Sequence, residues 1–137
     1  MNHTKRNRGF SIMETVIALV VIVLVTAAAL SITMAAISAR VKMSNYSEAQ
    51  DFAHNVLECF KAADGADEAE KIDNFEKNVE FAGYEFSPRV ASAYTYSAGN
   101  KFTAYIKADF QNGIFEIKVT EFGKNDKVII EFDYTKG

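Results

Sequence analysis

Residues 15–39 read TVIALVVIVLVTAAALSITMAAISA, 25 positions without a charge, a proline or a glycine. At about 1.5 Å of rise per residue, a helix of that length reaches roughly 37 Å, enough to cross a hydrocarbon core of about 30 Å. Val16, Ile17, Leu19, Val20, Ile22 and Leu24 form its leading part and are the residues expected to lie in the membrane. From Arg40 onward 98 of the 137 residues are left, room for one small domain. A doubly wound sheet or an α/β barrel needs more chain. A disulfide-stapled scaffold needs more than the lone Cys59.

Upstream of the run, Lys5, Arg6 and Arg8 are unopposed by any acid. They favour a cytoplasmic amino terminus and export of the carboxyl-terminal part, although Arg40 and Lys42 on the far flank reduce the bias. Beyond residue 9 the chain holds 12 basic against 18 acidic side chains. That acidic balance argues against nucleic acid as a general partner, and Lys118, Lys124 and Lys127 make too small a cationic patch to reverse it. A cleavable secretory signal also fits the pattern of basic segment, apolar core and Ala27-Ala28-Ala29, with Leu30 as the new terminus. The apolar run continues past that cut through Ile32, Met34 and Ile37, and Glu14 stands at its mouth, where such a signal has no use for a carboxylate.

Glu14 is the informative residue. A carboxylate carried into a bilayer costs about 2.5–3.5 kcal/mol at mid-membrane and less near the interface, so it calls for a partner or a purpose. Helix capping is one purpose, since Ser11 and Glu14 have the S-x-x-E spacing of a capping box. The surrounding residues Arg8-Gly9-Phe10-Ser11-Ile12-Met13-Glu14, followed by an apolar helix, resemble the prepilin processing motif of type IV pilins and type II secretion pseudopilins.

That resemblance implies cleavage between Gly9 and Phe10 by a membrane-embedded aspartic peptidase and methylation of the new amino group on Phe10. It makes Glu14 the fifth mature residue, which in the family neutralises the amino-terminal charge of a neighbouring subunit during assembly. Opposite charges in a low-dielectric helical core cost less together than apart, and their pairing selects the axial register between subunits. The implied partners are other pilin subunits, the prepilin peptidase, a membrane platform with its ATPase, and the lipid bilayer before assembly. The detailed likeness covers about residues 8–35. Ser31 stands where many members carry a kinking proline, so a straighter helix is expected. The missing proline and small acidic head favour a minor subunit.

Past Arg40 the pattern turns amphipathic, with Ala49, Phe52, Ala53, Val56, Phe60 and Ala63 at three- and four-residue steps. Proline and glycine are absent from Phe10 to Asp64, which predicts one helix of about 53 residues. A second, short helix is predicted from the D-x-x-E start at Asp67, with Ile72, Phe75, Val79 and Ala82 at helical spacing and Gly83 as its stop. Phe81, Tyr84 and Phe86 are expected to cover the core or its edge. Asp64, Asp67, Glu68 and Glu70 lack the spacing of an EF-hand, and acids suit the first turn of a helix, so no metal is expected there.

From Ala91 the period changes to two. Tyr94 and Tyr96, then Phe102 to Phe110, then Phe115 to Val119, then Val128, Ile130, Phe132 and Tyr134 predict four strands with one apolar face. Turns are expected at Ala98-Gly99-Asn100, at Asn112-Gly113 in type I′ form, and at Gly123-Lys124-Asn125-Asp126. Such short connections predict an antiparallel meander. The architecture expected is therefore α+β, a long amino-terminal helix packed by its second half on a small sheet. Residues 1–9 would be a leader, residues 10–39 a membrane or filament-core helix, and residues 40–137 an extracytoplasmic head.

A catalytic role is not expected. His3 and His54 are the only histidines, too few for a triad or a multi-histidine metal centre in the mature chain, and no phosphate loop or dinucleotide fingerprint occurs. No cofactor is implied. Cys59 should be a thiol near the core and His54 a surface residue. The leading expectation is a minor-pilin structural subunit, held in the cytoplasmic membrane by a single span and then built into an extracellular filament. The alternatives are a membrane-anchored extracytoplasmic binding protein, in which Glu14 is only a helix cap, and a DNA-uptake pseudopilin.

Overall fold

A computed structural model describes residues 12–137; Gly9, Phe10 and Ser11, on which the processing-site and capping-box expectations fall, lie outside the described residues. Helix α1 runs Ile12–Ala62, 51 residues without a break. It is followed by α2 (Glu68–Phe81), β1 (Ala93–Ser97), β2 (Phe102–Asp109), β3 (Ile114–Glu121) and β4 (Lys124–Thr135). The chain divides into two compact units between Val41 and Lys42, and α1 contributes to both.

In the second unit the strands form one antiparallel sheet in sequence order, β1-β2-β3-β4. Register follows the alternation of the sequence: Tyr94 stands opposite Ile106, Ile106 opposite Ile117, and Ile117 opposite Phe132. The inward side chains Tyr94, Phe102, Ala104, Ile106, Ala108, Phe115, Ile117 and Val119 are all buried. Against them lies the α1 stripe Ala49, Phe52, Ala53, Val56 and Phe60, also buried, as its helical spacing predicts. The architecture is the expected α+β one, with a single core between helix and sheet.

Aromatic rings fill that core at two centres. Phe52 stacks on Tyr96 with centroids 4.5 Å apart and meets Tyr84 edge-on at 4.9 Å. Phe60, two turns further along α1, contacts Phe110 at 4.8 Å and Phe115 at 5.1 Å. Phe75 of α2 joins the two, reaching Phe110, Tyr94 and Phe86.

Helix α2 begins and ends where the sequence predicts. The Asp67 carboxylate accepts the Glu70 backbone N–H at 2.8 Å, and the Glu70 carboxylate accepts the Ala66 N–H at 2.7 Å, a reciprocal cap. At the other end the N–H groups of Gly83 and Tyr84 donate to the carbonyls of Glu80 and Val79. This Schellman closure needs the left-handed backbone of Gly83, φ 87°. Ala82 is the exposed C-cap and not part of the buried face.

Four local expectations are corrected. Asn112-Gly113 is not a two-residue type I′ turn: the β2–β3 connection takes four residues, Phe110 to Gly113, and only Gly113 has positive φ. The cause is Asp109, whose carboxylate accepts the backbone N–H groups of Gln111 and Asn112, each at 3.0 Å, and so builds a wider loop. The last turn comprises Phe122 and Gly123, while Lys124, Asn125 and Asp126 already belong to β4. Register shifts in β4 opposite Val119, Thr120 and Glu121 then turn Val128 outward and bring Ile129 onto the core beside Ile130. Finally, Phe81 does not cover the core, being 94% exposed, whereas Tyr84 and Phe86 do pack on it.

Candidate functional site

The first unit offers an apolar cylinder. Among the described residues, sixteen large apolar side chains from Ile12 to Val41 are at least half exposed. At about 1 kcal/mol for each half-exposed side chain, contact with water would cost on the order of 15 kcal/mol, as much as a small domain's whole stability. The helix is long and apolar enough to cross a membrane. Val16, Ile17, Leu19, Val20, Ile22 and Leu24 are between 50% and 64% exposed and lie on all sides of it.

Three hydroxyls within this stretch are satisfied locally. The hydroxyls of Thr26, Ser31 and Thr33 donate to the carbonyls of Ile22, Ala27 and Ala29 one turn back, at 2.7, 3.0 and 2.9 Å. None of the three therefore presents an orphan donor on the apolar surface of the helix. Ser31 leaves the helix unbroken at the position where a proline would interrupt it. Glu14 lies in the first turn of α1, where the helix dipole favours negative charge.

In the second unit the titratable groups that sequence reasoning singled out are accounted for by structural roles. His54 is exposed. Cys59 is a free, half-buried thiol against the core, and burial pushes its pKa up, which keeps it protonated and unreactive. Asp67 and Glu70 cap α2, and Asp64 lies 3.7 Å from the Lys136 ammonium. Among the described residues no group of three or more His, Cys, Asp or Glu side chains is arranged to hold a metal ion. Lys124 and Lys127 are committed to Glu121, whose pKa their ammonium groups lower to about 2. Of the three lysines weighed as a cationic patch, two therefore share one carboxylate.

Sequence reasoning missed the segment between Gly83 and Tyr94. Val90 and Ala93 exchange two backbone hydrogen bonds of 2.9 Å, and Ala91 and Ser92 between them have φ of 48° and 66°. This is a type I′ hairpin built without asparagine or glycine, so no turn signal marked it. The Ser87 hydroxyl accepts the Thr95 N–H at 2.9 Å, and the buried Tyr94 hydroxyl donates to the Glu76 carboxylate at 2.9 Å, tying the segment to β1 and β1 to α2. Burial and the adjacent carboxylate keep the Tyr94 phenol protonated far above the usual range. Between the segment and α2 lies a groove of about 690 Å³.

Comparison with protein-family models, with curated proteins and with solved structures returns no match.

Proposed function

We propose that this chain is a structural subunit, a minor pilin, of a type IV pilus or a related type II secretion-like filament. The observation that carries this reading is the Arg8-Gly9-Phe10-Ser11-Ile12-Met13-Glu14 motif running into an unbroken apolar helix that begins at Ile12. The α+β fold supports it: the amino half of α1 exposes apolar surface, while the carboxyl half is packed on an antiparallel meander. On this reading prepilin peptidase cuts between Gly9 and Phe10 and methylates the Phe10 amine. The subunit waits in the cytoplasmic membrane as a single span with its amino terminus inside. A platform protein and its ATPase then move it into an extracellular filament.

Transfer from bilayer to helical core keeps the apolar face buried throughout, so its free-energy cost is concentrated on charges. Glu14 is the charge that must move, and pairing it with the new amino terminus of a neighbour offsets its desolvation and fixes the axial step. Glu14→Ala should abolish incorporation into filaments while leaving the amount of membrane-held protein unchanged. Unchanged incorporation would reduce Glu14 to a helix cap and favour a membrane-anchored binding protein.

A further inference from the structure

The sheet has two edges, and among the described residues the chain closes only one of them. Along β1 the outward backbone groups are used: the Thr95 carbonyl accepts the Ser87 N–H, the Thr95 N–H donates to the Ser87 hydroxyl, and Ala93 exchanges two bonds with Val90. Along β4 they are not. The Lys136 N–H donates to the Gly113 carbonyl at 2.8 Å, which continues the β3–β4 register and places the hydrogen-bonded pairs at Tyr134, Phe132 and Ile130. The N–H and C=O groups of Glu131, Asp133 and Thr135 therefore point away from β3, and no strand or loop among the described residues pairs with them. Sheet edges are commonly guarded by lysine, proline or a bulge. The first half of β4 has such guards in Lys124, Lys127 and the bulge at Ile129, whereas the stretch from Ile130 to Thr135 has none.

The same stretch leaves the core open along one side. Ile130, Phe132 and Tyr134 face inward but are only half-buried, while their partners Val119, Ile117 and Phe115 on β3 are buried. Leu57 of α1 is half-buried on the core as well. It lies one turn before Lys61, whose ammonium stands 5.1 Å from the centre of the Tyr134 ring, so it shares the helix side that faces β4. On the outer face Glu131 and Asp133 are exposed, and no cation among the described residues forms a salt bridge with either.

We infer that β4 from Ile130 to Thr135 is a docking edge for an extended segment of a partner protein, added as a further antiparallel strand whose side chains alternate between apolar and basic. Its backbone bonds to Glu131, Asp133 and Thr135, its apolar side chains cover Ile130, Phe132 and Leu57, and its lysines or arginines stand opposite Glu131 and Asp133. The added strand lies about 4.8 Å beyond β4, on the side away from Lys118, the register partner of Glu131 on β3. The other outer-face cation, Lys107, is paired with Glu116. A second copy of this chain fits less well. Its β1 edge is closed, and a two-fold pairing of β4 with itself, centred on Glu131, Phe132 or Asp133, sets acid against acid. The inference stands apart from the filament reading, since it concerns the second unit alone.

The test uses the full chain in zwitterionic lipid nanodiscs, with empty nanodiscs as the blank, and a fluorescein-labelled nonapeptide alternating lysine and valine. Anisotropy should show saturable binding. In the antiparallel strand the lysines stand opposite Glu131 and Asp133, so their backbone N–H groups face β4 while those of the valines face water. Methylation of the lysine backbone nitrogens should weaken binding at least about tenfold, and methylation of the valine nitrogens less than about twofold. Glu131→Lys with Asp133→Lys should weaken binding about tenfold and transfer it to the matching glutamate–valine peptide. Glu80→Lys with Glu85→Lys, an equal change in net charge away from the sheet, should leave it unchanged. All four side chains are exposed, and circular dichroism checks that the fold is kept. Equal affinity of the two methylated peptides, or equal loss from the Glu80 and Glu85 variant, would overturn the inference by making the attraction a matter of net charge. Pairing between unliganded copies that the lysine–valine peptide displaces would overturn it in favour of a contact between copies.

Discussion

Phe52 is the side chain on which attachment of α1 to the sheet should depend most. It is 1% exposed, stacks on Tyr96 at 4.5 Å and 12°, meets Tyr84 at 4.9 Å and leans on Phe102 at 5.5 Å. Truncation of a buried phenylalanine to alanine costs about 3–5 kcal/mol, combining lost transfer energy with an unfilled cavity. With Phe86 at 6.2 Å there are four ring partners, each worth about 0.5–1.5 kcal/mol beyond area burial, which place Phe52→Ala in the upper part of that range. A unit of 96 residues, Lys42 to Gly137, has a total stability on the order of 5–14 kcal/mol. The variant should therefore lose a third or more of its stability, whereas Phe52→Leu, which keeps most of the volume, should lose about 1–2 kcal/mol. Urea titration of the full chain in dodecyl maltoside micelles, followed by near-ultraviolet circular dichroism of the tyrosines, measures both, because the apolar helix stays in the micelle while the sheet unfolds. A loss below about 1 kcal/mol for Phe52→Ala would refute the reasoning, since the helix would then be held to the sheet by something other than this ring cluster.

Ala91→Gly should stabilise the second unit by about 0.5–1 kcal/mol, since alanine at φ 48° carries a steric cost that glycine lacks; a lower melting temperature would contradict it. Tyr94→Phe should cost about 1–2 kcal/mol in the same urea titration by leaving Glu76 without its donor, and a neutral result would mean the bond to α2 is dispensable. Glu121 titrates in the folded chain at about 2, below its ordinary 4.5, so its contribution is complete above pH 4.5 and is lost as pH falls toward 2. Hydrogen bonds to Lys61 and to Asn112 lower Glu58 and Asp109 as well and act in the same direction. Stability measured from pH 6 to pH 2 should fall, and Glu121→Gln should flatten part of that fall; an unchanged profile would remove Glu121 from the account.

Much of the fold was legible because two periodicities dominate the chain. A period near 3.6 places Ala49, Phe52, Ala53, Val56 and Phe60 on one stripe, and a period of two places Phe102, Ala104, Ile106 and Ala108 on one face; both sets are buried. What escaped was chemistry that depends on side chains acting on backbone. Asp109 capping two amides widened the turn expected at Asn112-Gly113, and a tight hairpin formed at Ala91 and Ser92, residues that seldom adopt positive φ. The bulge at Ile129 was hidden because Val128, Ile129 and Ile130 form a continuous apolar run, which does not reveal which member faces inward. The groove beside α2 was illegible for a related reason: Val79, Glu80, Tyr84 and Glu85 look like ordinary surface and core residues until the Schellman turn at Gly83 sets them along one groove.

The central claim is that the chain enters a filament through cleavage and methylation at its amino terminus. Mass spectrometry of the native amino terminus, from cells with and without prepilin peptidase, tests it most directly. The account predicts a chain beginning at N-methylated Phe10 only when the peptidase is present. A terminus at Leu30, or an uncut chain in both strains, would contradict it.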